Sequence, residues 1–281
     1  MDNTAGDGNT TIKAKKKKFW LRFLILGFVI YVSTIIAFAS TGNPNLFATI
    51  VLVGNFLVPV SFVAFFYERR DRFGISMTST ALSFIFGGIL GTSAAAILEP
   101  YFIQRLSFSS SFFVGLIEES TKLIGVLLVA RRGRHTSGLD GIILGAAAGM
   151  GFAAFESTGY VFTDFLQSGG NITEAVALTL LRGVVSPVGH GTWTAILAGA
   201  LFSESGIYGY NINRRVIGAF LTVVILHGLW DGIPYALNTF MPSFHSVLIG
   251  QLSVGIFGLA TLYRHWQAAR RQTLFEFRKI P

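Results

Sequence analysis

The sequence predicts an all-α fold, a polytopic membrane helix bundle of about eight transmembrane helices with both termini in the cytoplasm. Three observations predict it. Of the 281 residues, 52% are hydrophobic and only 13% charged, where a soluble domain carries about a quarter charged. The apolar residues gather into eight stretches, each near the roughly 20 residues that cross a bilayer as a helix. The basic residues gather in alternate gaps between those stretches, and an excess of Lys and Arg marks the cytoplasmic side. The net charge of +8 therefore reports topology, not nucleic-acid binding. With no cysteine in the chain, a disulfide framework, a thiolate metal site and a cysteine nucleophile are all excluded.

Residues 1–18 form a polar N-terminus that ends in a basic run from Lys13 to Lys18, expected to be disordered. The transmembrane domain is expected over 19–263, with spans at about 19–40, 46–67, 78–98, 112–130, 139–163, 178–203, 215–238 and 244–263. A basic cytoplasmic tail, 264–281, follows. The first run, Phe19 to Ser40, is too long for a signal-peptide core and no convincing cleavage site follows, so it is read as a retained helix. One set of span ends carries Lys13, Lys15 to Lys18, Arg69, Arg70, Arg72, Arg131, Arg132, Arg134, Arg214 and Arg215. The same set continues with Arg264, Arg270, Arg271, Arg278 and Lys279, while the opposite loops hold only Arg105. Those opposite loops are the short turn Gly42–Asn45 and two longer polar breaks, Glu99 to Ser110 and Asp164 to Glu174. Gly141, Gly145 and Gly149 recur every four residues, as do Gly87, Gly91 and Ala95. Such stripes let membrane helices approach closely, and no chemistry is attached to them.

Setting the loop charges aside leaves a short polar roster inside the spans. Glu118, Glu119 and Lys122 are in the fourth, Glu156 in the fifth, Arg182 and His190 in the sixth, His227 and Asp231 in the seventh. Intramembrane charges are costly and face a protein-lined interior. Counted from the non-basic face at 1.5 Å per residue, Glu118, Glu119, Glu156 and Asp231 all fall at about 10 Å depth, and His227 at about 16 Å. His190 falls at about 10–18 Å. Four helices thus deliver acids and imidazoles to one layer in the outer half of the membrane. Such a set can hold a metal such as zinc, for which His190, His227 and Glu119 are the candidate ligands, or can place and deprotonate a water. Lys122 and Arg182 read as supporting cations that pair with the carboxylates. Pro187, three residues before His190, should kink that helix and open room for a substrate segment. No HExxH helix and no Gly-x-Ser-x-Gly elbow is present, and nothing marks Ser157 or Thr158 as a nucleophile. His135, His245 and His265 fall outside the layer and read as solvated.

Glu118-Glu119-Ser120-Thr121-Lys122 resembles the Glu-Glu-x-x-Lys motif of the PrsW intramembrane proteases, relatives of the CAAX-prenyl endopeptidase and bacteriocin-immunity superfamily. Phe152 to Glu156 is similar to that family's Phe-x-x-x-Glu element, His190 to its lone histidine, and His227 with Asp231 to its fourth motif. Phe65 to Arg70 resembles the family's second-span end, and the likeness runs from about residue 50 to 240. The resemblance implies an eight-helix bacterial plasma-membrane protease that cleaves membrane-associated proteins, as in anti-sigma-factor processing. It implies one glutamate of the pair as the water-activating base, with the histidines orienting the water or stabilising the oxyanion. The CAAX enzymes carry histidine where this chain has Glu156 and arginine where it has Lys122, so prenylated substrates are not implied. The residues alone also suit a proton- or cation-coupled transporter, although no internal repeat of the transporter kind is visible. A non-catalytic scaffold is the third reading.

Overall fold

The computed structural model describes residues 18–70, 74–130, 137–206, 209–240 and 244–277, with side chains set aside at 238–240, 244–247 and 273–277. The tail 1–17, Arg72, Arg131, Arg132, Arg134, His135, Arg278 and Lys279 lie outside the described residues, as does the side chain of His245. The described chain is helical, in eight successive helices. They are α1 (Phe19–Thr41), α2 (Asn45–Tyr67), α3 (Met77–Phe102), α4 (Ser111–Ala130), α5 (Gly138–Gln167), α6 (Ile172–Ser203), α7 (Arg214–Phe240) and α8 (Phe244–Phe277).

Local chemistry sets the boundaries. α1 stops where Gly42 adopts φ 63° and returns its N–H to the Phe38 carbonyl, a left-handed terminator that glycine adopts without strain. The Ser76, Ser137 and Asn171 side chains each accept a backbone N–H from the first turn of α3, α5 and α6, satisfying amides that the helix leaves open. Asp140 Oδ1 accepts from the Ile75 amide at 3.1 Å, pinning the link before α3 to the start of α5. Two helices are interrupted. α3 takes a π turn at Phe86–Leu90. α6 breaks at Ser186–Val188 around Pro187 and restarts at His190, because proline cannot donate the helical N–H.

α5 is the axis of the bundle, with 94% of its apolar window buried against 6% for α1 at the rim. Its glycine stripe explains the position: a Cβ at Gly141, Gly145 or Gly149 would run into the carbonyls of Ala198, Thr194 and His190 on α6. On α3, a Cβ at Gly87 would meet the Ala148 backbone of α5. Both stripes pack helices, as expected from their spacing.

Neighbouring pairs define two ends. At one, the Trp20 amide of α1 donates to Glu68 after α2, Phe66 meets Trp266 of α8 at 5.7 Å, and Gly138 abuts Ser203 and Ala269. This end carries the described basic residues apart from Arg105, Lys122 and Arg182. At the other, Phe47 packs on Phe162 and Phe165, and Gly232 on Phe108. The helices overrun two of the expected polar breaks: α3 reaches Phe102 and α5 reaches Gln167. α6 likewise begins at Ile172, and the basic segment from Arg264 continues α8 to Phe277.

Candidate active site

Glu118, Glu119 and Lys122 share one face of α4, as positions three and four apart must. Lys122 is fully buried. Its ammonium reaches Glu118 Oε2 at 2.9 Å, Glu119 Oε1 at 2.8 Å and His190 Nδ1 at 2.8 Å, so three donors meet three acceptors. The Phe152 ring of α5 lies 3.9 Å away beneath it, a cation–π contact. A buried cation without such partners would cost several kcal/mol, about 3–5.

His190 opens the second half of α6, where the break leaves its side chain between α4 and α5. An ammonium only donates, so Nδ1 accepts and a neutral ring carries its proton on Nε2. That nitrogen faces Glu156 Oε2 at 3.2 Å. Glu156 Oε2 also accepts from Arg182 at 2.9 Å, and Arg182 Nε donates to Ser157 Oγ at 3.0 Å. Lys122, His190, Glu156 and Arg182 therefore form one continuous polar chain across three helices.

His227, fully buried on α7, presents the complementary tautomer. Its Nδ1 lies 3.1 Å from Glu119 Oε1, and a carboxylate fixes the proton there. Nε2 has no hydrogen-bond partner, yet sits 3.5 Å from Glu118 Oε2 and 3.2 Å from Asp231 Oδ2. Trp193 stacks on the imidazole at 4.7 Å and 33°. Thr194 Oγ1 donates to Glu119 Oε2 at 2.9 Å.

Glu118, Glu156, Arg182, His190 and Asp231 line a cavity of about 700 Å³ between α3, α4, α5, α6, α7 and α8. Glu119 and His227 stand behind that wall. The structure thus brings together all eight of the residues singled out from the sequence, while dividing the glutamate pair. Glu118 keeps 5% of its side chain exposed at the cavity and Glu119 none.

Glu118, His190 and His227 each offer one ligand atom within 4.8 Å of the others. The open Nε2 of His227 and the carboxylate behind its Nδ1 fit the way metal-bound imidazoles are held. Glu119, expected from the sequence as the third ligand, lies outside this group of three, and both its oxygens accept hydrogen bonds. The Lys122 ammonium shares the Glu118 and His190 atoms, so a metal would have to displace it from both.

Sequence reasoning missed three residues. Glu99, assigned to a loop, is helical in α3, lines the same cavity as Glu118, and has a buried oxygen without a partner. Its signal was obscured by the adjacent Pro100. Trp193 and Thr194 carry no charge, so nothing separated them from the apolar run around them.

The sequence model of the PrsW family intramembrane metalloproteases matches residues 76–259, a stretch that contains every residue of this site. The chain belongs to the PrsW family. It is similar to Protease PrsW of Clostridioides difficile (strain 630), with 26% identity over 188 residues, 63% of this chain and 76% of that protein. No solved structure matches the chain with significance. PrsW membership makes it a multi-pass intramembrane protease acting on membrane proteins, and the family's description as a metalloprotease agrees with a donor set able to hold a metal. The PrsW match begins at residue 76, so the likeness noted at Phe65 to Arg70 falls outside it.

Proposed function

We propose that this chain hydrolyses peptide bonds of membrane-protein substrates with a water activated by Glu118, in regulated proteolysis at a bacterial plasma membrane. The observation that carries the reading is the placement of Glu118 at the cavity wall between two imidazoles, with its partner glutamate sealed behind it. A water against Glu118 gives up its proton to that carboxylate as its oxygen attacks the scissile carbonyl carbon. His227 Nε2, 3.5 Å from Glu118 Oε2 and 3.2 Å from Asp231 Oδ2, relays that proton to the leaving nitrogen. Glu119 and Thr194 hold the His227 ring, while Lys122, Glu156 and Arg182 hold His190. As an alternative to that route, a zinc ion would be held by Glu118, His190 and His227, which would then serve as ligands, and it would supply Lewis acidity and bring the pKa of a bound water to about 7. By family likeness, an anti-sigma factor is the substrate to try first. Both termini face the cytoplasm in this reading, which puts the cavity in the outer half of the membrane.

The test is cleavage of a co-expressed membrane-protein substrate. Glu118→Gln should lower cleavage by at least about 100-fold, the usual worth of a general base, with protein level unchanged. Cleavage within a few-fold of wild type would remove Glu118 as the base. Metal analysis of purified protein separates the two routes: one zinc per chain, lost in His227→Ala, supports the metal-bound water, and none in active protein excludes it.

A further inference from the structure

Away from the active cavity, α1, α2, α6 and α8 enclose a second space of about 400 Å³, bounded by Trp20, Phe62, Phe65, Pro187, Leu259 and Trp266. Of its hydroxyls, Ser61 already gives its own to the Leu57 carbonyl at 2.7 Å and Tyr263 accepts from Gln267 at 2.8 Å. An extended peptide could not occupy such a lining without stranding its own amides, and a helix, about 10–12 Å across, is too wide for a space of this volume. A hydrocarbon tail can.

The mouth of this groove is charged. At the basic end of the bundle the Arg69 guanidinium lies 3.5 Å over the Phe65 ring, and Arg270 lies 5.7 Å over Trp266. The two rings are themselves 6.2 Å apart, so two cations cap neighbouring aromatics of one wall. Burial lowers the Arg69 pKa from its ordinary value, Glu68 opposes this, and the like charge of Arg270 adds to it. Glu68, the nearby acid, already accepts the Trp20 amide at 2.9 Å. Arg69 Nη1 also donates to the Phe65 carbonyl at 2.7 Å, and among the described residues no carboxylate forms an ion pair with Arg69 or Arg270.

We propose that this groove is a binding site for an anionic phospholipid, with its tail between α1, α2 and α8 and its phosphate bridging Arg69 and Arg270. Basic recesses between transmembrane helices at a headgroup layer recognise lipid phosphates in this way. The tryptophans at the mouth suit an interface, where an aromatic ring meets both tail and headgroup. The inner end of the groove is Pro187, in the break that launches His190. A seated tail thus packs against the element that positions the catalytic imidazole.

Trp20 and Trp266 make the occupant measurable. In phosphatidylcholine vesicles, tail-brominated phosphatidylglycerol should quench the protein's tryptophan fluorescence at roughly a thirtieth of the mole fraction that tail-brominated phosphatidylcholine requires, given about thirtyfold from two headgroup-facing arginines. The preference should collapse to near parity in Arg69→Gln/Arg270→Gln and survive in Arg69→Lys/Arg270→Lys. Equal quenching of the wild type by the two lipids, or a preference untouched by the glutamine pair, overturns the site. If the glutamine pair does not accumulate, a salt titration of the wild type decides. Loss of the preference at about 1 M salt, where the screening length is near 3 Å, supports the phosphate contact, and its persistence refutes it.

Discussion

Glu119 spends both carboxylate oxygens inside the protein, on Lys122, His227 and Thr194. In the proposed mechanism its work is orientation: it fixes the His227 tautomer so that Nε2 is turned toward Glu118. Removing one of its donors leaves a buried carboxylate oxygen stranded, and such groups cost about 1–3 kcal/mol or more when charged. Thr194→Val keeps the shape and deletes the donor. It should lower the thermal unfolding temperature measurably and reduce cleavage by weakening the hold on His227, with the metal content read alongside. An unchanged melting temperature would show that Thr194 contributes nothing to the glutamate. The acid pair itself was legible in the sequence, because charges inside an apolar run have few explanations. Which of the two faces the cavity was not. Adjacent positions differ by about 100° around a helix, and the rotation of α4 is set by packing against its neighbours, not by anything local to α4.

Among the elements, the contact between α5 and the second half of α6 places the site, because it fixes where His190 emerges. Gly145 lies against the Thr194 carbonyl and Ala195 backbone, which cannot rotate away as a side chain could. Gly145→Val should therefore cost about 1–3 kcal/mol by overpacking, seen as a lower melting temperature in detergent, whereas Gly218→Ala, which meets open space, should not. Equal behaviour of the two variants would contradict the close approach. The glycine stripe was readable as packing from its four-residue spacing. The proline break in α6 was readable too, since a missing N–H is a local property. Glu99 was not, because a proline after an acid resembles the end of a span. Here the helix runs on to Phe102 instead, with the Ile103 amide still reaching the Glu99 carbonyl at 2.7 Å.

For the whole molecule, the proposed orientation follows from which end of the bundle is basic. The chain has no cysteine, so single introduced thiols report topology without background. With intact cells and a membrane-impermeant maleimide, Asn43→Cys in the turn after α1 should label. Arg214→Cys at the start of α7 should label only after lysis. The reverse pattern would invert the bundle and move the cavity to the cytoplasmic half. The number of long helices and the meeting of their polar residues in one cluster were recoverable from hydropathy and counting alone. The two cavities were not, since each is a space left between helices distant in sequence.

The π turn in α3 holds one residue more than an ordinary turn. Everything beyond Leu90 is therefore wound about 100° out of phase with what precedes it. Gly87 is spent on the seam with α5 while Glu99, further along, comes round to the cavity. One helix thus serves two azimuths. Deleting Ile89 would rewind the segment, carry Glu99 toward the lipid, and leave Glu118 without its facing acid.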